Sequence, residues 1–258
     1  MQERRILLTG ASKGIGKATA LHLARKKASL ILVARNESEL KLLTEECKAL
    51  GSDAEFFVAD LSTLKSGTEF AKQMINQFSD LTDIVLNAGI STSKRFENNS
   101  LEDMEFELGV NYLAPVAIIK EFIPYFKERK SGSIVCVSSF AALTPFPGNS
   151  SYAATKSAIF SLCNSLKIEL NEYNIHVGCV LPGGTKTDMT KDFESISYLL
   201  EEPELIAECI EDLLNRKESV IVPGLLYNSA AFLYKVFPQP INRFLEFTVK
   251  NIFPNFNK

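Results

Sequence analysis

Three polar side chains, Ser139, Tyr152 and Lys156, have the types and spacing needed to move a proton. Tyr152 follows Ser139 by thirteen residues, and Lys156 follows Tyr152 by four. Residues four apart on a helix share one face, so this phenol and this ammonium would point the same way. A neighbouring ammonium stabilises a phenolate and lowers the pKa of the phenol. The stretch therefore predicts general acid–base chemistry, which needs a second reactant and a pocket.

Length and composition indicate a globular protein with a sizeable core. The chain has 258 residues, of which 46% are hydrophobic, and a net charge of -3 that gives no general attraction to nucleic acid. Its five cysteines are odd in number and lack a C-x-x-C pair, which favours reduced thiols and predicts neither a disulfide framework nor a metal site. The first apolar run is too short for a signal peptide, and no apolar stretch is long enough to span a membrane. We expect a cytoplasmic protein.

Short runs rich in Ile, Leu and Val alternate with longer segments of helical periodicity as far as about residue 222. This alternation is typical of a parallel sheet covered by helices on both faces. We predict one α/β domain with a doubly wound sheet of about seven strands. The predicted strands cover residues 5–8, 29–34, 54–58, 83–86, 133–138, 175–181 and 219–222. The predicted helices cover residues 14–27, 37–50, 64–78, 100–128, 152–171 and 203–216.

A glycine-rich segment, with the sequence TGASKGIG, lies between the first predicted strand and the first predicted helix. Glycine lets the backbone turn tightly and approach a pyrophosphate, whose charge is met by the free N–H groups at the start of the helix. Glycines are also common in ordinary turns. The position of this segment, after a strand and before a helix, favours dinucleotide binding.

The glycine segment T-G-x-x-x-G-x-G, together with Tyr152-x-x-x-Lys156, resembles the short-chain dehydrogenase/reductase family over about residues 5–222. The resemblance implies a Rossmann-like catalytic domain over residues 1–222, with a substrate flap at about 186–202. It also implies an oxidoreductase that interconverts alcohols and carbonyls. The implied catalytic residues are Asn111, Ser139, Tyr152 and Lys156. The implied cofactor-binding residues are Gly10, Ser12, Lys13, Gly14, Ile15, Gly16, Arg35, Asp60, Leu61, Asn87, Ala88, Gly89, Tyr152, Lys156, Pro182, Gly183, Thr185 and Thr187.

The charge at the end of the second predicted strand indicates NADP(H) rather than NAD(H). Folds that bind NAD place an acidic residue there for the ribose 2′-hydroxyl, whereas a basic residue can pair a 2′-phosphate. Here the strand ends in Ala34 and Arg35, and no carboxylate follows before Glu37. We expect Arg35 to bind the phosphate, with Lys13 and Ser12 assisting. The alternative is an Arg35 that is merely solvated at a strand end.

The chemistry that these residues predict is carbonyl reduction. NADPH would give a hydride to the carbonyl carbon, Tyr152 would protonate the oxygen, and Ser139 would donate a hydrogen bond to it. We expect Lys156 and an oxidised nicotinamide to lower the pKa of Tyr152 by about three units from ~10. Lys156 would also bind the nicotinamide ribose. The family resemblance gives Asn111 the role of holding a water that relays protons to Lys156.

Apolar residues occur in two segments beside the predicted catalytic residues, one between Ser139 and Tyr152 and one after Thr187. They suggest that the substrate is a lipophilic ketone or aldehyde. The substrate candidates are Phe140, Leu143, Phe146, Met189 and Phe193. No arginine lies in either segment to hold a substrate carboxylate. These residues could instead close the core or form a subunit contact. Other hypotheses are a 3-oxoacyl thioester reductase and a non-catalytic NADP(H)-binding sensor or scaffold, and the presence of both Tyr152 and Lys156 disfavours the latter.

Residues 223–258 form an apolar extension in which the resemblance becomes thin. Apolar side chains recur there at helical spacing, with a few basic residues among them. The extension could pack on its own domain, on a second subunit or, as a peripheral contact, on a membrane. The family resemblance also suggests a homodimer or homotetramer formed through the predicted helices at 100–128 and 152–171.

Overall fold

The computed structural model describes residues 1, 3–144, 147–190, 198 and 200–252. In these residues a seven-stranded parallel sheet has the order β3-β2-β1-β4-β5-β6-β7. The strands are β1 (Arg5–Thr9), β2 (Ser29–Ala34), β3 (Ala54–Val58), β4 (Asp83–Leu86), β5 (Gly132–Val137), β6 (Ile175–Val180) and β7 (Val220–Ile221). The strand order reverses between β1 and β4, which is the doubly wound, Rossmann-like arrangement. The predicted fold class is confirmed.

Helices connect the strands on both faces of the sheet. The α-helices of the described residues are α1 (Gly14–Arg25), α2 (Glu37–Ala49), α3 (Leu64–Gln77), α4 (Leu101–Leu108), α5 (Ala114–Arg129), α6 (Ser150–Glu169), α7 (Pro203–Leu214), α8 (Leu225–Val236) and α9 (Pro238–Ile252). The predicted helices end within a few residues of these bounds, except for the one at 100–128. Helix α6 begins two residues before its predicted start, so Tyr152 lies in its first turn.

The central strands are buried on both faces because alternate side chains enter two separate cores. Leu7 of β1 packs in the core shared with α3, α5 and α6. Its neighbours Ile6 and Leu8 pack in the core shared with α1, α2 and α7. This two-sided burial explains why these strands have continuous apolar sequences, and it holds their carboxyl ends along one edge of the sheet.

The single helix predicted over residues 100–128 is wrong at its centre. Helix α4 ends at Leu108, and a π-helical turn, Gly109–Leu113, separates it from α5. Gly109 lies so close to the loop after β3 that an added Cβ would come within 2.0 Å of the Ser62 carbonyl oxygen. The turn contains the predicted catalytic residue Asn111, which is buried. Single π turns often occur at functional sites.

The described part of the C-terminal extension contains α8 and α9, and α8 has no buried residue. Most of its large apolar side chains are exposed, although Tyr227 contacts the catalytic domain at Phe140 and Gly183. Which surface the extension packs on stays a prediction. The exposed large apolar residues of this segment are Leu225, Leu226, Phe232, Leu233, Val236, Phe237 and Phe247. We call these two helices the C-terminal surface. Over the described residues, no helix combines the length and apolar character required to cross a membrane.

Candidate active site

A cavity of about 620 Å³ lies at the carboxyl ends of the central strands. Most of its lining was predicted from the sequence. Every predicted cofactor-binding residue lines it except Gly16, as do the predicted catalytic residues Ser139, Tyr152 and Lys156. Within the described part of the chain, no group of three or more His, Cys, Asp or Glu residues is placed to hold a metal ion. The volume suits a ligand of dinucleotide size.

The glycine segment between β1 and α1 makes one wall of the cavity and has no room for a side chain at its glycine positions. Gly10 has a φ of +64°, and a Cβ there would lie 2.8 Å from the Cα of Ala88. A Cβ at Gly16 would lie 2.0 Å from the carbonyl oxygen of Gly10, so Gly16 supports the turn from behind. Asn87 Nδ2 donates to the same carbonyl oxygen at 3.0 Å. This bare backbone at the start of a helix fits a pyrophosphate.

The end of β2 carries the charges that would meet the adenosine half of a dinucleotide. Arg35 is exposed and lines the cavity. Lys13 Nζ lies 3.0 Å from Glu39 Oε1 and 3.6 Å from Asp188 Oδ2, so two carboxylates already balance its charge. Glu39 lies in the first turn of α2, where its backbone N–H donates to the side chain of Asn36 at 3.2 Å. Its ion pair with Lys13 was not predicted from the sequence. Arg35 is therefore better placed than Lys13 to meet a phosphate.

The predicted proton-transfer residues meet where β5 ends and α6 begins. Lys156 Nζ donates to the carbonyl oxygen of Val137 at 2.9 Å and lies 5.7 Å from the centroid of the Tyr152 ring. Ser138 Oγ donates to the carbonyl oxygen of Lys156 at 2.7 Å, a bond that ties strand to helix and that was not predicted from the sequence. Ser139 lies at the end of the strand and lines the same cavity. A hydroxyl, a phenol and an ammonium thus converge at one end of the cavity.

Burial shifts the pKa values of Tyr152 and Lys156 in the directions that favour the neutral form of each side chain. Burial raises the pKa of Tyr152 above its ordinary value; a hydrogen bond from Ser139 opposes the shift, and the charge of Glu107 adds to it. Burial lowers the pKa of Lys156 to about 8. The predicted lowering of the Tyr152 pKa is therefore not found in the protein alone, because desolvation of the phenolate outweighs the hydrogen bond from Ser139. A neutral phenol is the form that can donate a proton.

Asn111 lies behind the cavity rather than in its lining. It is 1% exposed, and its Nδ2 donates to the carbonyl oxygen of Ile90 at 2.9 Å and to Thr155 Oγ1 at 3.1 Å. A Cβ added at Gly89 would lie 3.1 Å from Lys156 Nζ and 3.4 Å from Asn111 Oδ1, so both polar groups adjoin the same glycine. The water relay through Asn111 stays a prediction.

The loop after β6 closes the cavity on the side of the predicted nicotinamide site. Thr190 Oγ1 donates to the carbonyl oxygen of Thr185 at 2.6 Å and accepts from the N–H of Thr187 at 3.2 Å. The methyl group of Thr187 packs against Gly14, where a Cβ would lie 2.9 Å away. The loop and the glycine segment therefore face each other across the cavity.

Of the five predicted substrate residues, the structure describes three and places one of them, Met189, in the cavity lining. Met189 is 45% exposed. Leu143 is partly buried and packs against the core next to α5 and α6, while Phe140 lies in a short turn after β5, outside the cavity lining. Phe146 and Phe193 lie outside the described residues, as do residues 191–197 and 199 of the predicted flap.

Tyr227 of α8 borders the substrate side of the site and was not found from the sequence. Its ring is 5.2 Å from that of Phe140, nearly edge to face. It also covers Gly183, where an added Cβ would overlap the ring at 2.2 Å. Tyr227 lies beyond residue 222, where the family resemblance becomes thin, so no sequence signal pointed to it.

Comparison with known proteins agrees with this fold and site. The family model described as "short chain dehydrogenase" matches residues 4–196. A curated relative, "11-beta-hydroxysteroid dehydrogenase-like 4A" of Arabidopsis thaliana, is 34% identical over 81% of this chain and 72% of its own. The chain therefore belongs to the short-chain dehydrogenase/reductase family, whose members are oxidoreductases that bind NAD(P) and act on small molecules.

Solved structures show the same architecture. A short-chain dehydrogenase from Sphingobium yanoikuyae in complex with NADPH is similar with a TM-score of 0.82 and 26% identity, over 93% of this chain and 95% of that one. A "bulky-bulky ketone specific alcohol dehydrogenase" from Comamonas testosteroni has a TM-score of 0.78 and 26% identity, over 87% of this chain and 88% of that one. This protein is similar to both in fold, and it is an oxidoreductase of their family.

Proposed function

We propose that this protein is an NADPH-dependent reductase of a lipophilic ketone or aldehyde. The observation that carries the proposal is that Ser139, Tyr152 and Lys156 line one end of a dinucleotide-sized cavity whose other end is bordered by Arg35. A proton donor and a binding site for a hydride-carrying cofactor are therefore parts of one cavity. When bound there, the cofactor supplies the hydride.

The chain's own residues supply the remaining steps of the reduction. Tyr152, whose phenol is neutral in the protein, donates its proton to the carbonyl oxygen as negative charge develops there. Ser139 donates a hydrogen bond to the same oxygen. Lys156, with a pKa of about 8, is mostly an ammonium at neutral pH and stabilises the phenolate that remains.

The preference for NADPH rests on Arg35. Its guanidinium stands on the cavity rim, and no carboxylate in the described part of the chain forms an ion pair with it, whereas Lys13 is already paired with Glu39 and Asp188. A planar guanidinium binds phosphate through two parallel hydrogen bonds. The NADPH complex of the Sphingobium yanoikuyae relative is consistent with this choice.

The lipophilic substrate rests on the apolar groups at the nicotinamide end. Met189 opens to the cavity, and Phe140 and Tyr227 form an aromatic pair beside Gly183. These groups carry no positive charge, so they favour an apolar substrate over a carboxylate. The bulky ketones for which the Comamonas testosteroni dehydrogenase is specific are of this general kind.

The test is NADPH oxidation with bulky ketones, aldehydes, 3-ketolipids and 3-oxoacyl thioesters. We expect turnover to rise with the apolar size of the carbonyl compound and to be at least about 10-fold faster with NADPH than with NADH. Preference for the thioesters would support the 3-oxoacyl thioester reductase instead. NADPH binding without turnover on any carbonyl would support the sensor or scaffold.

Two separate apolar surfaces lead us to assign two separate contacts. Leu101 of α4 and Ile168 of α6 are 78% and 79% exposed, on the helices through which we propose a second subunit binds. Leu225 and Phe232 of the C-terminal surface are 89% and 66% exposed, and basic Lys235 lies among them. Apolar rings beside basic groups fit the interface of an anionic lipid bilayer.

One pair of variants distinguishes these contacts. We expect Phe232→Asp to reduce co-sedimentation with anionic phospholipid vesicles at least about 5-fold, because it places a charge on the apolar face. The matched variant Ile168→Asp should leave vesicle binding unchanged but lower the mass measured by sedimentation equilibrium. If Phe232→Asp lowered the mass and left vesicle binding unchanged, a second subunit rather than a lipid surface would cover α8.

A further inference from the structure

Glu107 of α4 is a carboxylate that the proposed mechanism does not use, although it is completely buried next to the site. Its Oε1 accepts the N–H of Thr92 at 2.9 Å, and its Oε2 accepts a short hydrogen bond from Ser151 Oγ. Thr92 belongs to the loop after β4, and Ser151 belongs to the first turn of α6. One side chain thus joins three separate elements.

Asn111, four residues further along, makes an equivalent set of contacts. Its Oδ1 accepts the N–H of Ile90 at 2.9 Å, and its Nδ2 donates to Thr155 Oγ1 at 3.1 Å. Ile90 is two residues before Thr92 in the same loop, and Thr155 is one helical turn after Ser151. The Glu107 and Asn111 contacts are therefore two parallel connections, one from α4 and one from the π-helical turn that follows it, to the same loop and the same helix α6.

Each connection ends on the residue immediately before a catalytic candidate. Thr155 precedes Lys156, and Ser151 precedes Tyr152. We propose that Glu107 is a positioning residue that fixes the first turn of α6 and thereby holds the Tyr152 phenol at its working place in the cavity. The proposal rests on the proposed role of Tyr152 as the acid.

Stability alone does not account for a carboxylate at this position. The two groups that hold Glu107 are neutral, an amide and a hydroxyl. Transfer of a carboxylate from water to the interior costs free energy that neutral hydrogen bonds offset only in part. Glu107 lies near the N-terminus of α6, which has no acidic residue in its first turn and no side-chain N-cap bond. The positive end of the helix dipole there offsets a further part of this cost.

The charge of Glu107 also reaches the proton-transfer pair. It raises the pKa of Tyr152 and opposes the fall in the pKa of Lys156 that burial causes. The other groups that act on these two residues are the Ser139 hydroxyl after β5 and the thiols of Cys136 in β5 and Cys179 in β6. The position of Glu107 can therefore be tested on the titration of Tyr152 as well as on turnover.

Three variants and a control separate positioning from charge. In Glu107→Gln, the amide oxygen can accept from Thr92 and the amide NH₂ can donate to Ser151, so the contacts survive without the charge. Glu107→Ala removes both contacts, and Ser151→Ala removes one. Glu105→Ala is the matched control, since Glu105 is an exposed glutamate of the same helix.

We expect Glu107→Ala to lower kcat about 10- to 100-fold, because a displaced acid loses alignment with the carbonyl oxygen. Ser151→Ala should lower kcat about 3- to 10-fold, and Glu107→Gln should keep it within about 3-fold at its own optimal pH. The Kd for NADPH should stay within about 2-fold in all of them, because Glu107 and Ser151 do not line the cavity. Glu105→Ala should match the parent protein.

A second readout does not depend on turnover. In protein labelled with 3-fluorotyrosine, the ¹⁹F resonance of Tyr152 can be assigned from its loss in Tyr152→Phe. Its titration midpoint should move to lower pH in Glu107→Gln, because a negative charge that raised the pKa is gone. This shift would remain measurable if the protein reduced no carbonyl, so failure of the proposed function would be recognised separately.

The proposal is overturned if Glu107→Ala and Ser151→Ala both keep kcat within about 2-fold, or if Glu107→Gln loses as much as Glu107→Ala. A Tyr152 ¹⁹F resonance that keeps the parent chemical shift in both Glu107→Ala and Ser151→Ala would also contradict it, because the phenol would not have moved. If Glu107→Ala does not fold, the comparison of Ser151→Ala with Glu107→Gln decides, since Ser151→Ala alone removes a contact and keeps the charge.

Discussion

Replacement of Tyr152 by Phe is expected to lower kcat for carbonyl reduction by about 10³-fold or more while NADPH still binds. The change removes the phenol oxygen of the proposed proton donor, whose pKa burial raises above its ordinary value. It leaves the ring, and therefore the wall of the cavity, in place. Single-turnover kinetics should show that hydride transfer itself is slow, since a carbonyl oxygen that receives no proton does not accept a hydride readily.

The matched control is Tyr173→Phe, which removes a phenol oxygen on a short turn before β6, outside the cavity lining. It should keep kcat within about 2-fold. NADPH binding, followed by cofactor fluorescence, should be the same in both variants. Turnover by Tyr152→Phe at more than a tenth of the parent rate would assign the proton to another group.

The second large effect is expected at the other end of the cavity. Arg35→Asp should change the ratio of kcat/KM for NADPH over NADH by about 100-fold or more in favour of NADH. The variant loses a bidentate phosphate contact and gains a carboxylate that repels the 2′-phosphate and can accept the 2′-hydroxyl of NADH. Steady-state kinetics with both cofactors at one ionic strength measures the ratio.

Arg25→Asp makes the same charge change on an exposed arginine at the end of α1, away from the cavity lining. It should leave the ratio within about 2-fold, which separates a local contact from a general effect of net charge. An unchanged ratio in Arg35→Asp would show that Arg35 does not bind the 2′-phosphate.

The strands and most helices could be predicted because their signals are local. Runs such as Ile6 to Leu8 are apolar without a break, as strands buried on both faces must be. The break at Gly109–Leu113 could not be predicted, because the apolar spacing continues across it. What distinguishes the turn is the approach of Gly109 to the Ser62 carbonyl oxygen. This is a tertiary contact that the neighbouring sequence does not indicate.

The cavity lining was predictable from the same family motifs that identify the fold, whereas its supporting charges were not. Glu39 and Glu107 stand on helices, where a glutamate is usually solvated, and nothing in their neighbours predicts that one pairs with Lys13 and the other is buried. The partners of Glu107, Thr92 and Ser151, are respectively 15 and 44 residues away. Such contacts appear only when the three elements are assembled.

The position of Tyr227 gives the C-terminal surface a thermodynamic connection to the cavity. The ring that covers Gly183 belongs to a helix that has no buried residue. We therefore expect a ligand of that helix that shifts the ring to change the free energy of substrate binding as well. Reciprocity then requires that bound substrate change the affinity of the surface for its ligand by the same factor. Binding of substrate in the cavity and binding of a ligand to the C-terminal surface would then be coupled equilibria.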